Sequence, residues 1–184
     1  MKPRVGISRC LLGDDVRYDG TNKRSVAVVE LSAYVEWVAV CPEVEVGMGV
    51  PREPIQLVAA VDGVRSAGEA VRLQGVHSDE DWTERMHDWA RDRVSALAAQ
   101  RIDGFVLKAR SPSCGPAGVL VHHAGVEATP TGRGLFAEAL AMTFPGLPLI
   151  DEEALEDPRE RDRFIRRVRE FSRLRRQRGF RLRA

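Results

Sequence analysis

The chain has 184 residues, of which 43% are hydrophobic and 30% charged, with a net charge of +1, as is typical of one globular domain. No apolar run approaches the roughly 18 residues of a membrane-spanning helix, and residues 1–8 lack the apolar core of a signal peptide. Three cysteines are too few for a disulfide framework. We therefore expect a soluble cytoplasmic protein, and we exclude disordered, collagen-like and disulfide-stapled secreted chains.

Short apolar runs alternate with segments of helical spacing along the chain. The runs typical of strands are residues 5–8, 35–40, 55–61, 105–107, 119–122 and 147–150. The helical segments are residues 25–32, 79–100, 134–142 and 161–177. Asp62-Gly63 predicts a hairpin turn leading to Val64-Arg65, and Ser78 is the predicted N-cap of the second helix. This alternation predicts a single-domain α/β layered fold with a mainly parallel, Rossmann-like sheet and a basic C-terminal helix.

The charge is distributed unevenly. Residues 159–184 contain 12 arginines and three acidic residues, a balance of +9, whereas residues 1–158 have a balance of −8. A basic segment attracts polyanions, RNA above all, because phosphate contacts release counterions. The alternative is a solvated helix whose arginines cover the acidic body. The predicted division is an α/β domain of residues 1–157 and an arginine-rich helix or tail of residues 158–184.

Three cysteines follow predicted strands: Cys10, Cys41 and Cys114. The carboxyl ends of parallel strands share one edge of a sheet, where ligand sites lie, so the three thiols can meet there. Three thiolates leave a position open on a zinc ion or on one iron of a [4Fe-4S] cluster. Zinc would recruit a histidine, but the candidates His122 and His123 have no ligand-like spacing to a cysteine. The residues favour iron–sulfur over zinc, and apolar packing of free thiols is the third interpretation.

Five motifs are spread over residues 5–150. They read GISRCLLG at 6–13, RYDG at 17–20, CPEVEVGMGVPR at 41–52, LKARSPSCG at 107–115 and GRGLFA at 132–137. In this order they resemble the thiouracil desulfurase family of bacteria and archaea. Many members of that family carry a further cysteine where this chain has Val16. The resemblance therefore supports a site with three cysteine ligands and no fourth thiol.

The resemblance implies an oxygen-sensitive [4Fe-4S] cluster held by Cys10, Cys41 and Cys114. It also implies hydrolytic removal of sulfur, without net redox change, from a thiolated pyrimidine: thiouracil, thiouridine or thiolated tRNA. In the chemistry that the resemblance implies, the thiocarbonyl sulfur would bind the open iron, water would attack the carbon and sulfur would leave as hydrosulfide. The sequence leaves the preferred substrate and the oligomeric state open.

This chemistry needs a base and a group that orients the substrate. Glu43, two residues after Cys41, is the predicted general base, and Glu45 is the alternative. Ser111 is predicted to orient the pyrimidine or to relay a proton, with Ser113 as the competing choice. Either serine could instead satisfy backbone groups of the Ser-Pro-Ser turn.

Three further residues are candidates for substrate binding: Gly132, Gly134 and Asp19. The glycines would let the backbone approach the ligand, or they would simply precede a helix. Asp19 could instead pair with a nearby arginine. Two other classes of protein also remain: a non-catalytic iron–sulfur or zinc protein that binds nucleic acid through its arginine tail, and a zinc hydrolase.

Overall fold

The computed structural model describes residues 2–59 and 71–177. These residues form eight strands, five α-helices and two 3-10 turns, Arg9–Leu12 and Ala154–Glu156. The strands are β1 (Arg4–Ser8), β2 (Glu36–Val40), β3 (Ile55–Ala59), β4 (Val71–Gly75), β5 (Gly104–Leu107), β6 (Val119–His123), β7 (Val126–Gly132) and β8 (Leu149–Asp151). The helices are α1 (Val26–Leu31), α2 (Pro42–Glu45), α3 (Thr83–Ala99), α4 (Leu135–Thr143) and α5 (Pro158–Gln177).

The first sheet is fully parallel, with strand order β2-β1-β5-β8. Its central strands are buried, and Ile7, Phe105 and Val106 have no exposed surface. Parallel strands covered on both faces read as continuous apolar runs, which is why the sequence pattern located these strands. The predicted α/β fold with a parallel sheet and a basic C-terminal helix is confirmed.

A second four-stranded sheet, of order β4-β3-β6-β7, was not predicted. Here β3 pairs with β4 antiparallel and with β6 parallel, and β6 pairs with β7 antiparallel. Strand β7 reads VEATPTG and carries no buried position. Its one large apolar residue is Val126, since the other nonpolar positions are Ala, Pro and Gly, so its sequence gives only a weak strand signal. The predicted turn at Asp62-Gly63 and the segment Val64-Arg65 lie outside the described residues.

Helix α3 begins at Thr83, so the prediction of Ser78 as its N-cap was wrong. The Ser78 hydroxyl donates instead to Glu53, and Asp81 still pairs with Gln74 of β4. The Asp81 carboxylate then accepts the backbone N–H of Thr83 at 2.8 Å. The helix therefore starts only where the chain leaves the sheet edge.

Helix α5 packs on the parallel sheet. Its Phe164 and Val168 lie in the same buried cluster as the residues of β1, and Arg175 makes an ion pair with the buried Asp103 at 2.7 Å. Within residues 2–59 and 71–177, no helix has the length and apolar character needed to cross a membrane. The division into residues 1–157 and 158–184 stays a prediction.

Candidate active site

The three cysteines line one cavity of about 350 Å³ at the carboxyl edge of the parallel sheet. Cys10 and Cys41 follow the neighbouring strands β1 and β2, and Cys114 lies in the loop after β5, on the other side of β1. The loops after three adjacent parallel strands therefore bring together thiols that are distant in sequence. All three cysteines are free and buried.

Burial raises the pKa of the Cys10 thiol to about 12, with Cys41 and Glu43 acting in the same direction. Burial also raises the pKa values of the Cys41 and Cys114 thiols. Without a cationic centre these thiols stay protonated at neutral pH, so a metal group that binds them must displace their protons. Thiolates are the ligands that soft metals and iron–sulfur clusters prefer, so the donor set fits such a group.

A single zinc ion fits the described residues less well. Among residues 2–59 and 71–177, no three His, Cys, Asp or Glu side chains come close enough together to hold one metal ion. His122 and His123 lie on β6 in the second sheet and do not line the cavity. The iron–sulfur interpretation therefore remains the one that the arrangement favours.

Glu43 lies in the first turn of α2, two residues after Cys41, and lines the cavity. Its side chain is 17% exposed. Oε1 accepts a hydrogen bond from Ser113 Oγ at 2.5 Å and lies 3.5 Å from Ser111 Oγ. The structure thus brings the predicted base and both predicted serines into one hydrogen-bonded group beside Cys114.

The two serines differ in their position relative to the cavity. Ser111 lines the cavity, whereas Ser113 is fully buried behind it, with its hydroxyl 3.7 Å from Cys114 Sγ. Ser111 Oγ also accepts the backbone N–H groups of Ser113 and Cys114, at 3.3 and 3.1 Å. Ser111 therefore satisfies backbone groups of the turn and also faces the cavity. The catalytic roles of both serines stay predictions.

Glu45 and Asp19 do not line the cavity. Glu45 accepts the backbone N–H of Cys41 at 3.1 Å and pairs with Arg93 at 3.0 Å, so its carboxylate holds the start of α2. Asp19 accepts hydrogen bonds from Thr21, which lower the pKa of its carboxyl group. Their assigned roles in base catalysis and substrate binding stay predictions.

The two candidate glycines permit close packing. A Cβ atom on Gly134 would lie 2.5 Å from the carbonyl carbon and oxygen of Ser113, and one on Gly132 would lie 2.8 Å from Val121 Cγ2. Gly134 is also the N-cap of α4, and its N–H donates to the carbonyl of Gly115 at 2.8 Å. Neither glycine lines the cavity, and direct substrate binding by them stays a prediction.

Arg52 and Lys108 are among the cavity residues to which sequence reasoning gave no role. The Arg52 side chain is 5% exposed, and its guanidinium contacts Glu43. Lys108 Nζ donates to Glu152 at 2.5 Å and to the carbonyl of Ala109 at 3.0 Å. A signal for Arg52 was available, because it ends the motif that contains Glu43 and a buried carboxylate requires a partner.

The fold and the site together define a class: an α/β protein with three buried thiols, a carboxylate and a serine around a cavity at the edge of a parallel sheet. The family model for 2-thiouracil desulfurase matches residues 5–152. The chain belongs to this family, which confirms the resemblance found from the motifs.

Two similar proteins cover most of the chain. The uncharacterized protein YbbK of Bacillus subtilis (strain 168) is 29% identical over 153 residues, which are 82% of this chain and 97% of YbbK. The solved structure of the [4Fe-4S]-dependent thiouracil desulfidase TudS is also 29% identical, with a TM-score of 0.63. The match to TudS covers 85% of this chain and 95% of that one.

Proposed function

We propose that the protein is a [4Fe-4S]-dependent desulfurase that hydrolyses the C–S bond of thiolated pyrimidines: thiouracil, thiouridine or thiolated tRNA. Cys10, Cys41 and Cys114 are the cluster ligands. The observation that carries the proposal is that three buried thiols line the same cavity as Glu43 and Ser111. The similarity to TudS, whose name states both the cluster and the thiouracil substrate, supports it.

When bound, the cluster supplies a thiophilic Lewis-acid iron that makes the thiocarbonyl carbon of the substrate electrophilic. Glu43 accepts a proton from the water that attacks this carbon. Ser111, whose hydroxyl lies 3.5 Å from Glu43 Oε1, orients the pyrimidine and passes this proton to the departing sulfur. The second proton of the water is released to solvent. Water oxygen replaces sulfur on the carbon, the C–S bond breaks, and sulfur leaves as hydrosulfide with no change in oxidation state.

The charge of the cavity supports substrates that carry phosphate, such as thiouridine within tRNA. Six basic side chains line the cavity, against two acidic ones, Glu43 and Glu53. The basic residues are Arg9, Arg17, Lys23, Arg52, Lys108 and Arg110. Four of them pair with carboxylates that do not themselves line the cavity, so the cationic groups are the ones that a bound molecule meets.

Helix α5 supports RNA contact as a second element of the proposal. The ion pairs found for its arginines in the described chain involve Arg161, Arg163 and Arg175. Its remaining arginines are exposed: Arg159, Arg166, Arg167, Arg169, Arg173 and Arg176. These exposed arginines can contact the phosphates of RNA, and the strength of such contacts falls steeply as the salt concentration rises.

The decisive test is anaerobic purification followed by iron and sulfide analysis and by assay of hydrosulfide release from 2- and 4-thiouracil. The proposal predicts a brown protein with turnover, and loss of both colour and turnover in Cys114→Ala. Glu43→Gln is predicted to keep the colour and to lose most, though not all, of its turnover. Colour without turnover in the wild type would indicate the non-catalytic iron–sulfur protein, and a colourless protein with zinc would refute the cluster.

RNA contact is tested by substitution, because deleting α5 would remove the buried Phe164 and Val168 and expose the core residues that they cover. In the variant Arg166→Gln/Arg169→Gln/Arg173→Gln, we expect weaker turnover of thiolated tRNA and unchanged turnover of free thiouracil. The tRNA effect should fade at high salt, because the phosphate contribution is electrostatic. Equal losses for both substrates would overturn the proposed contact.

A further inference from the structure

Arg52 lines the cavity, yet the reaction proposed above gives it no role. Its side chain is 5% exposed. A guanidinium so deeply buried needs acceptors for its N–H groups, because an unpaired buried charge is costly. The acceptors that it uses therefore show which parts of the site it holds in place.

The side chain of Arg52 links the two segments that carry Cys10 and Cys41. Nη1 donates to the carbonyls of Val16, at 3.1 Å, and Gly49, at 2.8 Å. The backbone N–H of Arg52 donates to the carbonyl of Tyr18 at 2.9 Å. Val16 and Tyr18 follow Cys10 in sequence, whereas Gly49 and Arg52 follow Cys41, so these contacts hold the segments against each other.

The same guanidinium orients the carboxylate of Glu43. Nη2 donates to Glu43 Oε2, while Oε1 accepts from Ser113 Oγ at 2.5 Å. Because Nη1 is committed to two backbone carbonyls, the guanidinium cannot rotate without losing hydrogen bonds. The carboxylate is thus fixed between the segment after α2 and the loop that carries Cys114.

We propose that Arg52 is a positioning residue for Glu43 in the desulfuration proposed above, on which this inference rests. It acts through the carboxylate of Glu43. Lysine cannot replace it, because a single ammonium lacks the planar fork that reaches Val16, Gly49 and Glu43 together. The role therefore requires the shape of the guanidinium as well as its charge.

The test compares Arg52→Met and Arg52→Lys with the wild type, all purified without oxygen. Iron per chain and the affinity for 2-thiouracil, read from the visible spectrum of the loaded protein, are expected to stay within about threefold of wild type. Turnover per cluster is expected to fall by about 100-fold in both variants, the usual cost of a misplaced catalytic group. Unchanged turnover in Arg52→Met overturns the proposal.

A double-mutant cycle with Glu43→Gln separates positioning from general stability. If Arg52 acts through Glu43, Arg52→Met lowers turnover by less than about threefold in the Glu43→Gln background. Independent, multiplicative losses overturn the proposal, and so does a failure of both Arg52 variants to fold or to load iron. Iron-loaded wild-type protein without turnover refutes the proposed function itself, and this inference with it.

Arg93→Met is the matched control. It breaks the other Arg–Glu pair of α2, between Arg93 and Glu45, and neither residue lines the cavity. Because Glu45 also accepts the backbone N–H of Cys41, the comparison uses turnover per cluster, which is expected to match the wild type. A loss equal to that of Arg52→Met would show that any broken ion pair on α2 impairs the site, and it would overturn a specific role for Arg52.

Discussion

Replacing Gly134 by alanine is predicted to displace the loop that carries Cys114. The added Cβ would lie 2.5 Å from the carbonyl carbon and oxygen of Ser113 and 2.7 Å from the backbone nitrogen of Cys114. These are backbone atoms, which cannot swing aside as the end of a side chain can. Moving the contacts out to 3.0–3.4 Å needs a shift of about 0.5–0.9 Å.

A shift of this size has two measurable consequences. Overpacking of this kind lowers the free energy of unfolding by about 1–3 kcal/mol, measured by urea denaturation. A displaced ligand loop also lowers the iron content after anaerobic reconstitution. Turnover per remaining cluster is expected to fall by about 100-fold, because moving a reacting group by about 1 Å costs that much in rate.

Gly118→Ala is the control for this prediction. It adds the same methyl group where nothing lies within 4 Å, at a φ of +64°. The left-handed conformation alone costs about 1–2 kcal/mol, so stability falls while iron content and turnover stay unchanged. The reasoning is refuted if Gly134→Ala keeps its iron content and turnover and loses less than about 0.5 kcal/mol of stability.

Two further predictions concern ion pairing and pH. Arg175→Met leaves the Asp103 carboxylate, 3% exposed, without its cation, and is expected to cost about 3–5 kcal/mol in urea denaturation. The control Arg163→Met breaks an exposed pair and should cost under about 1 kcal/mol; equal costs would contradict the role of burial. Hydrogen bonds from Ser78 and its neighbour lower the pKa of Glu53, so Ser78→Ala should raise that pKa in an NMR titration. Above the unfolded-state pKa of Glu53, about 4.3, Ser78→Ala should have a lower free energy of unfolding than the wild type. This difference should disappear as the pH falls through the pKa of Glu53 in the folded protein, and a pH-independent difference would contradict the reasoning.

The sequence predicted the parts of the site that depend on strand direction. Cys10 and Cys41 directly follow apolar runs, and the shared carboxyl edge of parallel strands was enough to bring them together with Cys114. Ser111 and Ser113 could not be ranked from sequence. Which hydroxyl reaches the cavity depends on how the turn directs each side chain, and that is a tertiary property.

Long-range contacts account for most of what the sequence did not predict. Ser78 has the residue type of a helix cap, but its hydroxyl is taken by Glu53, 25 residues away in sequence. A positioning role for Arg52 could be proposed only from the structure, which places the Glu43 carboxylate and the Val16 carbonyl at its guanidinium. Strand β7 is held by pairing with β6 rather than by its own apolar pattern.

The strand order also fixes when the thiol site can exist during synthesis. Cys10 and Cys114 are 104 residues apart, and their strands pair only after β5 has left the ribosome and docked beside β1. Closing so long a loop is slow compared with forming the local helices. The proposed cluster, which needs all three thiols, can therefore be delivered only after Cys114 has been synthesised and β5 has docked beside β1.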